Sequence, residues 1–161
     1  MLRSTGCATA SRDARRPTTA AARLRNPLPI VFALEPDLSA DEFRHVLVAS
    51  TLAERRPAGD LARLDKMLRH ADVVVTARDA GHLVGVSRAV TDFSYCCYLS
   101  DLAVDIDYQR QGIGKRLIEE THAAAGETTT LILVAAPAAE AYYPRIGMQR
   151  LTSCWAIPRK R

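Results

Sequence analysis

The chain has no apolar run near the ~20 residues that a membrane span needs, so no membrane partner is expected. Its four cysteines, Cys7, Cys96, Cys97 and Cys154, form no C-x-x-C pair and no metal-ligand spacing. Adjacent Cys96 and Cys97 would point to opposite faces of a strand. They read as reduced small hydrophobes, which implies a cytoplasmic protein. The histidines (His45, His70, His82 and His122) also lack ligand spacing, and no metal site is expected. No internal repeat occurs. A length of 161 residues, 48% hydrophobic and 25% charged, fits one globular domain.

Basic residues are scarce where the net charge of +4 would seem to place them. Residues 1–27 carry six arginines against Asp13 alone, which leaves the rest of the chain near neutrality. Nucleic acid is therefore not an expected partner. The segment is rich in Arg and Ala and has no helical or strand period. It reads as a disordered leader, residues 1–27, before a domain of residues 28–161. Its Arg-rich, acid-poor composition resembles a transit peptide, but an inessential tail or an upstream start codon explains it as well.

From Pro29 onward the pattern is regular. Pro29 to Leu34 is a strand. Ser39 with Glu42 forms a capping box for a helix with Phe43, Val46, Leu47 and Leu52 on its apolar face. Arg55-Arg56-Pro57 ends it. Asp60 caps a second helix with Leu61, Leu64 and Leu68 as its stripe. Val73–Ala77, Leu83–Thr91 and Tyr95–Val104 form an antiparallel meander, turned at Asp79-Ala80-Gly81 and Asp92-Phe93-Ser94. A helix with Ile113, Leu117, Thr121 and Ala124 on one stripe runs to about Ala125 and stops at Gly126. Thr130–Ala135 is a buried strand, Ala138–Arg145 a short helix behind Pro137, and Met148–Ile157 a last strand or hairpin. The order βααβββαβαβ predicts an α/β (α+β) fold.

The informative stretch is Gln109-Arg110-Gln111-Gly112-Ile113-Gly114-Lys115-Arg116, between a strand ending at Val104 and a helix. Its glycines let backbone approach a ligand closely. The open N–H groups of the helix start, with Arg110, Lys115 and Arg116 nearby, make a pyrophosphate cradle. A Walker loop is excluded, because Gln109 stands where its first glycine belongs and Arg116 replaces the metal-binding hydroxyl. A dinucleotide fingerprint is excluded because Leu117 replaces the third glycine.

The pattern Gln-x-x-Gly-x-Gly after a strand ending Leu102-Ala103-Val104 resembles the acetyl-CoA loop of the GNAT superfamily of N-acetyltransferases. Tyr142-Tyr143, with Gly147 four residues after Tyr143, is similar to a second motif of that superfamily; Met148 departs from its usual Phe. The resemblance covers about residues 29–157. Leu83-Val84-Gly85-Val86-Ser87-Arg88-Ala89, then Asp92, and the step of nine residues to Asp101 look most like the plant-type serotonin (arylalkylamine) N-acetyltransferases and their small bacterial relatives.

The resemblance implies a GNAT fold with a mixed, mostly antiparallel sheet of 6–7 strands and about four helices. It implies acetyl-CoA as co-substrate and acetyl transfer to the primary amine of a small molecule by direct attack in a ternary complex. A peptide or protein amine, or a CoA-binding regulatory module without turnover, is the alternative. A homodimer is common among such proteins. Leu102, Ala103 and Val104 would pair with pantetheine as an added strand, and residues 109–116 would hold the pyrophosphate. A phenol stays protonated at pH 7, so Tyr143 is a candidate general acid, or else a core aromatic that hydrogen-bonds CoA. Asp101 is the candidate base, or binds the ammonium, or caps a bulge. Arg88 pairs with Asp92 or Asp101, or binds an acidic acceptor. Asp92 and Tyr98 are further candidates at the acceptor, with Tyr95 and Trp155.

Overall fold

The computed structural model describes residues 29–160; the expected leader of residues 1–27 lies outside them. Five strands form one sheet in sequence order: β1 (Val31–Leu34), β2 (Val73–Asp79), β3 (His82–Thr91), β4 (Cys96–Val104) and β5 (Thr130–Leu133). Neighbours are antiparallel except β4 and β5, which run parallel. Helices α1 (Ala40–Ala49) and α2 (Leu61–Arg69) cover one face, and α3 (Ile113–Ala125) covers the other. The strand run β2–β4 therefore has a core on both sides. Val73, Val75, Leu99, Ile113 and Leu117 fill one core, and Phe43, Leu47, Leu64, Leu68 and Val86 fill the other.

The helix starts follow the capping residues. Ser39 accepts the Glu42 N–H at 3.2 Å, and Asp60 accepts the Arg63 N–H at 3.0 Å. The expected face of α1 breaks before Leu52. Thr51 turns left-handed, with φ 67°, and Leu52–Arg55 is a separate 3-10 turn.

Three expectations need correction. The described residues hold five strands and three α-helices, rather than 6–7 strands and four helices. The short helix of residues 138–145 is two 3-10 turns, Pro137–Ala139 and Tyr143–Ile146. Pro144 lies inside it, and its ring cannot donate a bond and clashes with the preceding helical turn. The expected last strand, Met148–Ile157, carries no regular structure. Leu151, Trp155 and Ile157 share one strand phase that Ser153 interrupts, but all three stand exposed. A strand pattern needs both a pairing edge and an apolar face to bury, and this segment meets neither.

Candidate active site

β4 changes phase at one residue. Arg88 on β3 pairs with Asp101, while the next residue, Ala89, pairs with Leu99. Ser100 is the extra residue of a β-bulge. Before it, Cys97 and Leu99 point to the α3 core; after it, Ala103 points to the α1–α2 core. Without the bulge, alternation would keep all odd positions on one face. The extra residue thus puts Asp101 beneath α1 and α2, on the same face as Arg88.

There Asp101 is fully buried between two guanidinium groups. Arg88 Nε donates to Asp101 Oδ2 at 2.5 Å, and Arg56 Nε donates to Asp101 Oδ1. Arg88 also bonds the Met67 carbonyl at 3.2 Å and Ser100 Oγ at 2.9 Å. Arg56 reaches from the loop between α1 and α2 and donates to the Ser100 carbonyl at 2.7 Å. Buried charges require this kind of pairing.

The bulge also marks where β4 and β5 part. Their parallel pairing runs from Cys96–Thr130 to Leu99–Leu133 and ends there, while β4 continues to Val104. The opened slot holds a pocket of about 70 Å³ lined by Arg56, Leu99, Ser100, Leu102, Leu133 and Tyr143, among others. The Ser100 carbonyl turns to Arg56, and the Val104 carbonyl accepts from Gln109 Nε2 at 3.0 Å, so both point away from β3. Backbone groups alternate in direction along a strand. Leu102, midway between them, therefore offers its N–H and C=O to the slot.

Past Val104 the chain forms a 3-10 turn, Ile106–Tyr108, and then the glycine loop. Tyr108 ties the turn to the β2–β3 hairpin through a 2.9 Å bond to Asp79. Arg110 and Gly112 are left-handed, with φ 62° and 85°. Gly112 caps α3 without a side-chain bond, so the first N–H groups of the helix stay open. Ile113 is buried and anchors the start of α3. Gln111 bonds the Asp107 carbonyl at 3.4 Å. Lys115 and Arg116 are exposed and reach Glu119 and Glu120 along the helix. A Cβ on Gly114 would lie 3.1 Å from the Tyr142 hydroxyl oxygen, so that phenol rests directly on the loop.

Tyr143 stands in the pocket wall, and its ring meets that of Tyr142 edge-on at 5.4 Å. Burial pushes the Tyr143 phenol up, and the neighbouring Tyr142 adds to that. Tyr142 is raised for the same first reason.

The structure thus brings Tyr143 and Leu102 together in the slot, with Arg88 and Asp101 behind its wall; Val104 and the loop 109–116 follow at the end of β4, and Ala103 turns away into the α1–α2 core. It does not bring Asp92 or Tyr98 there. Asp92 sits in the β3–β4 turn, four residues along β3 from Arg88, the partner of Asp101, which is roughly 13 Å at ~3.3 Å per residue. Its carboxylate accepts the N–H groups of Ser94, Tyr95 and Cys96, which hold its pKa far below the usual range. Tyr98 is exposed beside Val90 and Ile132, toward the turn end of β4, and Tyr95 and Trp155 are exposed too. Arg56 is the site residue that the sequence pattern missed. Its signal, the pair Arg55-Arg56, reads locally as a helix end, and its partner lies 45 residues away.

A narrow slot opens between parting strands, and an open helix N-terminus lies past the end of β4. Residues 69–149, just over half of the chain, match the acetyltransferase (GNAT) domain family. The chain belongs to that family and is an N-acetyltransferase. Its fold is similar to a GNAT family acetyltransferase from Streptococcus pneumoniae, at 22% identity and TM-score 0.64 over 83% of this chain and 98% of that one. It is also similar to a ribosomal-protein-alanine N-acetyltransferase from Brucella melitensis, at 21% identity and TM-score 0.61 over 82% and 100%. An aminoglycoside acetyltransferase from an uncultured soil metagenomic sample, in complex with sisomicin, matches at 20% and TM-score 0.59 over 81% and 97%. No curated protein matches the chain. Among the described residues no helix is long and apolar enough to cross a membrane, and no three metal-binding side chains gather.

Proposed function

We propose that this chain transfers the acetyl group of acetyl-CoA to the primary amine of a small molecule, by direct attack in the slot between β4 and β5. The observation that carries the reading is the parting of the strands beyond Leu99 and Leu133, with Tyr143 in the wall and the α3 N-terminus at the far end. The N–H groups of residues 110–115 would hold the pyrophosphate, with Lys115 and Arg116 at its margin. Gln109 would act indirectly, by pinning the loop to Val104. Leu102 would pair with the pantetheine amides, and a backbone N–H at this edge would stabilise the developing oxyanion.

In the transfer, the amine nitrogen bonds the thioester carbon and the carbon–sulfur bond breaks. The leaving sulfur takes the Tyr143 proton, and the nitrogen sheds its surplus proton to the phenolate or to water. Burial of Tyr143 supports the acid role, since it keeps the phenol protonated. Asp101 acts in this reading as a positioning residue, because both its oxygens are engaged by guanidinium groups. The proposal also places the chain in the cytoplasm, with residues 1–27 as a leader, and takes its likeness to the arylalkylamine subgroup as one of sequence rather than of acceptor.

The test is release of CoA thiol from acetyl-CoA with a panel of amines, on wild type and Tyr143→Phe. Turnover of a small amine that Tyr143→Phe slows, with acetyl-CoA still bound, supports the reading. Turnover of peptides alone would move the acceptor to a protein amine. Binding of acetyl-CoA with no turnover would leave a CoA-binding module.

A further inference from the structure

We infer that the acceptor amine also carries a carboxylate, which Arg56 holds at the pocket wall; this rests on the slot being the transfer site. Among the described residues that line the pocket, Arg56 is the one charged side chain. Behind the wall, Arg56 and Arg88 share the single carboxylate of Asp101, so the cluster keeps one positive charge in excess. Around it stand the Met67 and Ser100 carbonyls and Ser100 Oγ, which accept bonds but bring no negative charge.

Arg88 also uses three of its five N–H groups, but it is buried and does not line the pocket. Arg56 does line it. Among the described residues its Nε, one NH1 and one NH2 hydrogen are used, by Asp101, Arg55 O and Ser100 O. Two of its five N–H groups remain. A guanidinium fixed on one side by a carboxylate and a carbonyl, with donors left over, is a ready fork for a second carboxylate.

The same charge bears on the acceptor's amine. A purely cationic acceptor meets a cation in the wall and no free carboxylate. An amine that brings its own carboxylate neutralises the excess. A nearby positive charge also disfavours an ammonium, so the free base needed for attack forms without a dedicated carboxylate base in the pocket. The acceptor class is therefore an amino-acid-like amine, rather than a polyamine or an aminoglycoside.

The experiment compares matched pairs: phenylalanine with phenethylamine, tryptophan with tryptamine, and lysine with cadaverine. Release of CoA thiol gives kcat/KM for each, and calorimetry gives binding of each to the enzyme loaded with CoA. The carboxylate member should exceed its partner at least 10-fold in kcat/KM in some pair. Arg56→Gln should collapse that ratio through KM, and Arg56→Lys, which keeps the charge, should retain part of it. Cooperative melting and retained CoA binding show that both variants fold. Decarboxylated amines turning over as well as their partners, or a ratio unchanged by Arg56→Gln, overturns the inference. If nothing turns over, Arg56-dependent binding of the amino acid member still upholds it while the transferase reading fails. Binding of neither member overturns it.

Discussion

Arg88 stands directly opposite Asp101 across β3 and β4, and its Nε donates to the carboxylate at 2.5 Å. The pair exists because Ser100 is one residue too many for the ladder. The same bulge turns the Ser100 carbonyl toward Arg56 and precedes the opening of the slot.

Removing the shared anion should be costly. Asp101→Asn leaves the buried Arg88 and the half-buried Arg56 guanidinium groups facing each other without a counter-charge, and should lower stability by about 3 kcal/mol. Urea unfolding at pH 7 measures this. A base role for Asp101 would instead show as lost kcat with stability intact.

Tyr143→Phe should cut kcat by ~10²-fold or more, the usual worth of a positioned general acid, with acetyl-CoA affinity little changed. Burial raises the phenol above its ordinary value near 10. The acid is the protonated form, so it is lost only as pH rises through that raised pKa. Wild-type kcat should therefore keep the acid's contribution up to about pH 10, with an alkaline limb beyond it that the Phe variant lacks.

Gly112→Ala tests the cradle. At φ 85° a Cβ is strained although nothing crowds it, so the substitution should cost about 1 kcal/mol. It should also weaken acetyl-CoA binding, read by calorimetry, because the loop relaxes away from its left-handed turn. Gly114→Val should do so more strongly, by driving the Tyr142 ring off the loop.

Arg78 bridges β1, β2 and α1, donating to Glu35 at 2.7 and 2.8 Å and to Glu42 at 2.8 Å. The hydrogen bonds from Arg78 hold the Glu35 carboxyl below its usual range. A carboxyl lowered by folding stabilises the protein above its unfolded pKa, near 4.3, and that stability is lost as pH falls through the folded value. Arg78→Met should therefore cost about 2 kcal/mol at pH 7 and much less at pH 3, by urea unfolding at each pH.

Much of this protein is written in local sequence. Capping residues and apolar stripes located α1, α2 and α3, and the run of β-branched residues located β2. The loop from Gln109 to Gly114 announced its own shape, because a left-handed turn at Gly112 is a property of one residue. What the chain does after Gly147 was not legible in the same way. Leu151, Trp155 and Ile157 share one strand phase that Ser153 interrupts, and pairing and burial decide whether a strand forms.

The site divides along the same line. Sequence alone settled which residue types were at hand: a phenol four residues before a glycine, a glycine cradle, a carboxylate just before the strand end. Tertiary structure decided what each could do. In sequence Asp101 is a base, an ammonium ligand or a bulge cap alike; in space Arg56 and Arg88, 45 and 13 residues distant, engage both its oxygens. Asp92 looked like its neighbour in function, yet a β-strand is stiff and holds the two far apart. Local patterns report backbone shape, which is decided within a few residues. Charge pairing is decided by distance in space, and one bulged residue in β4 was enough to set it.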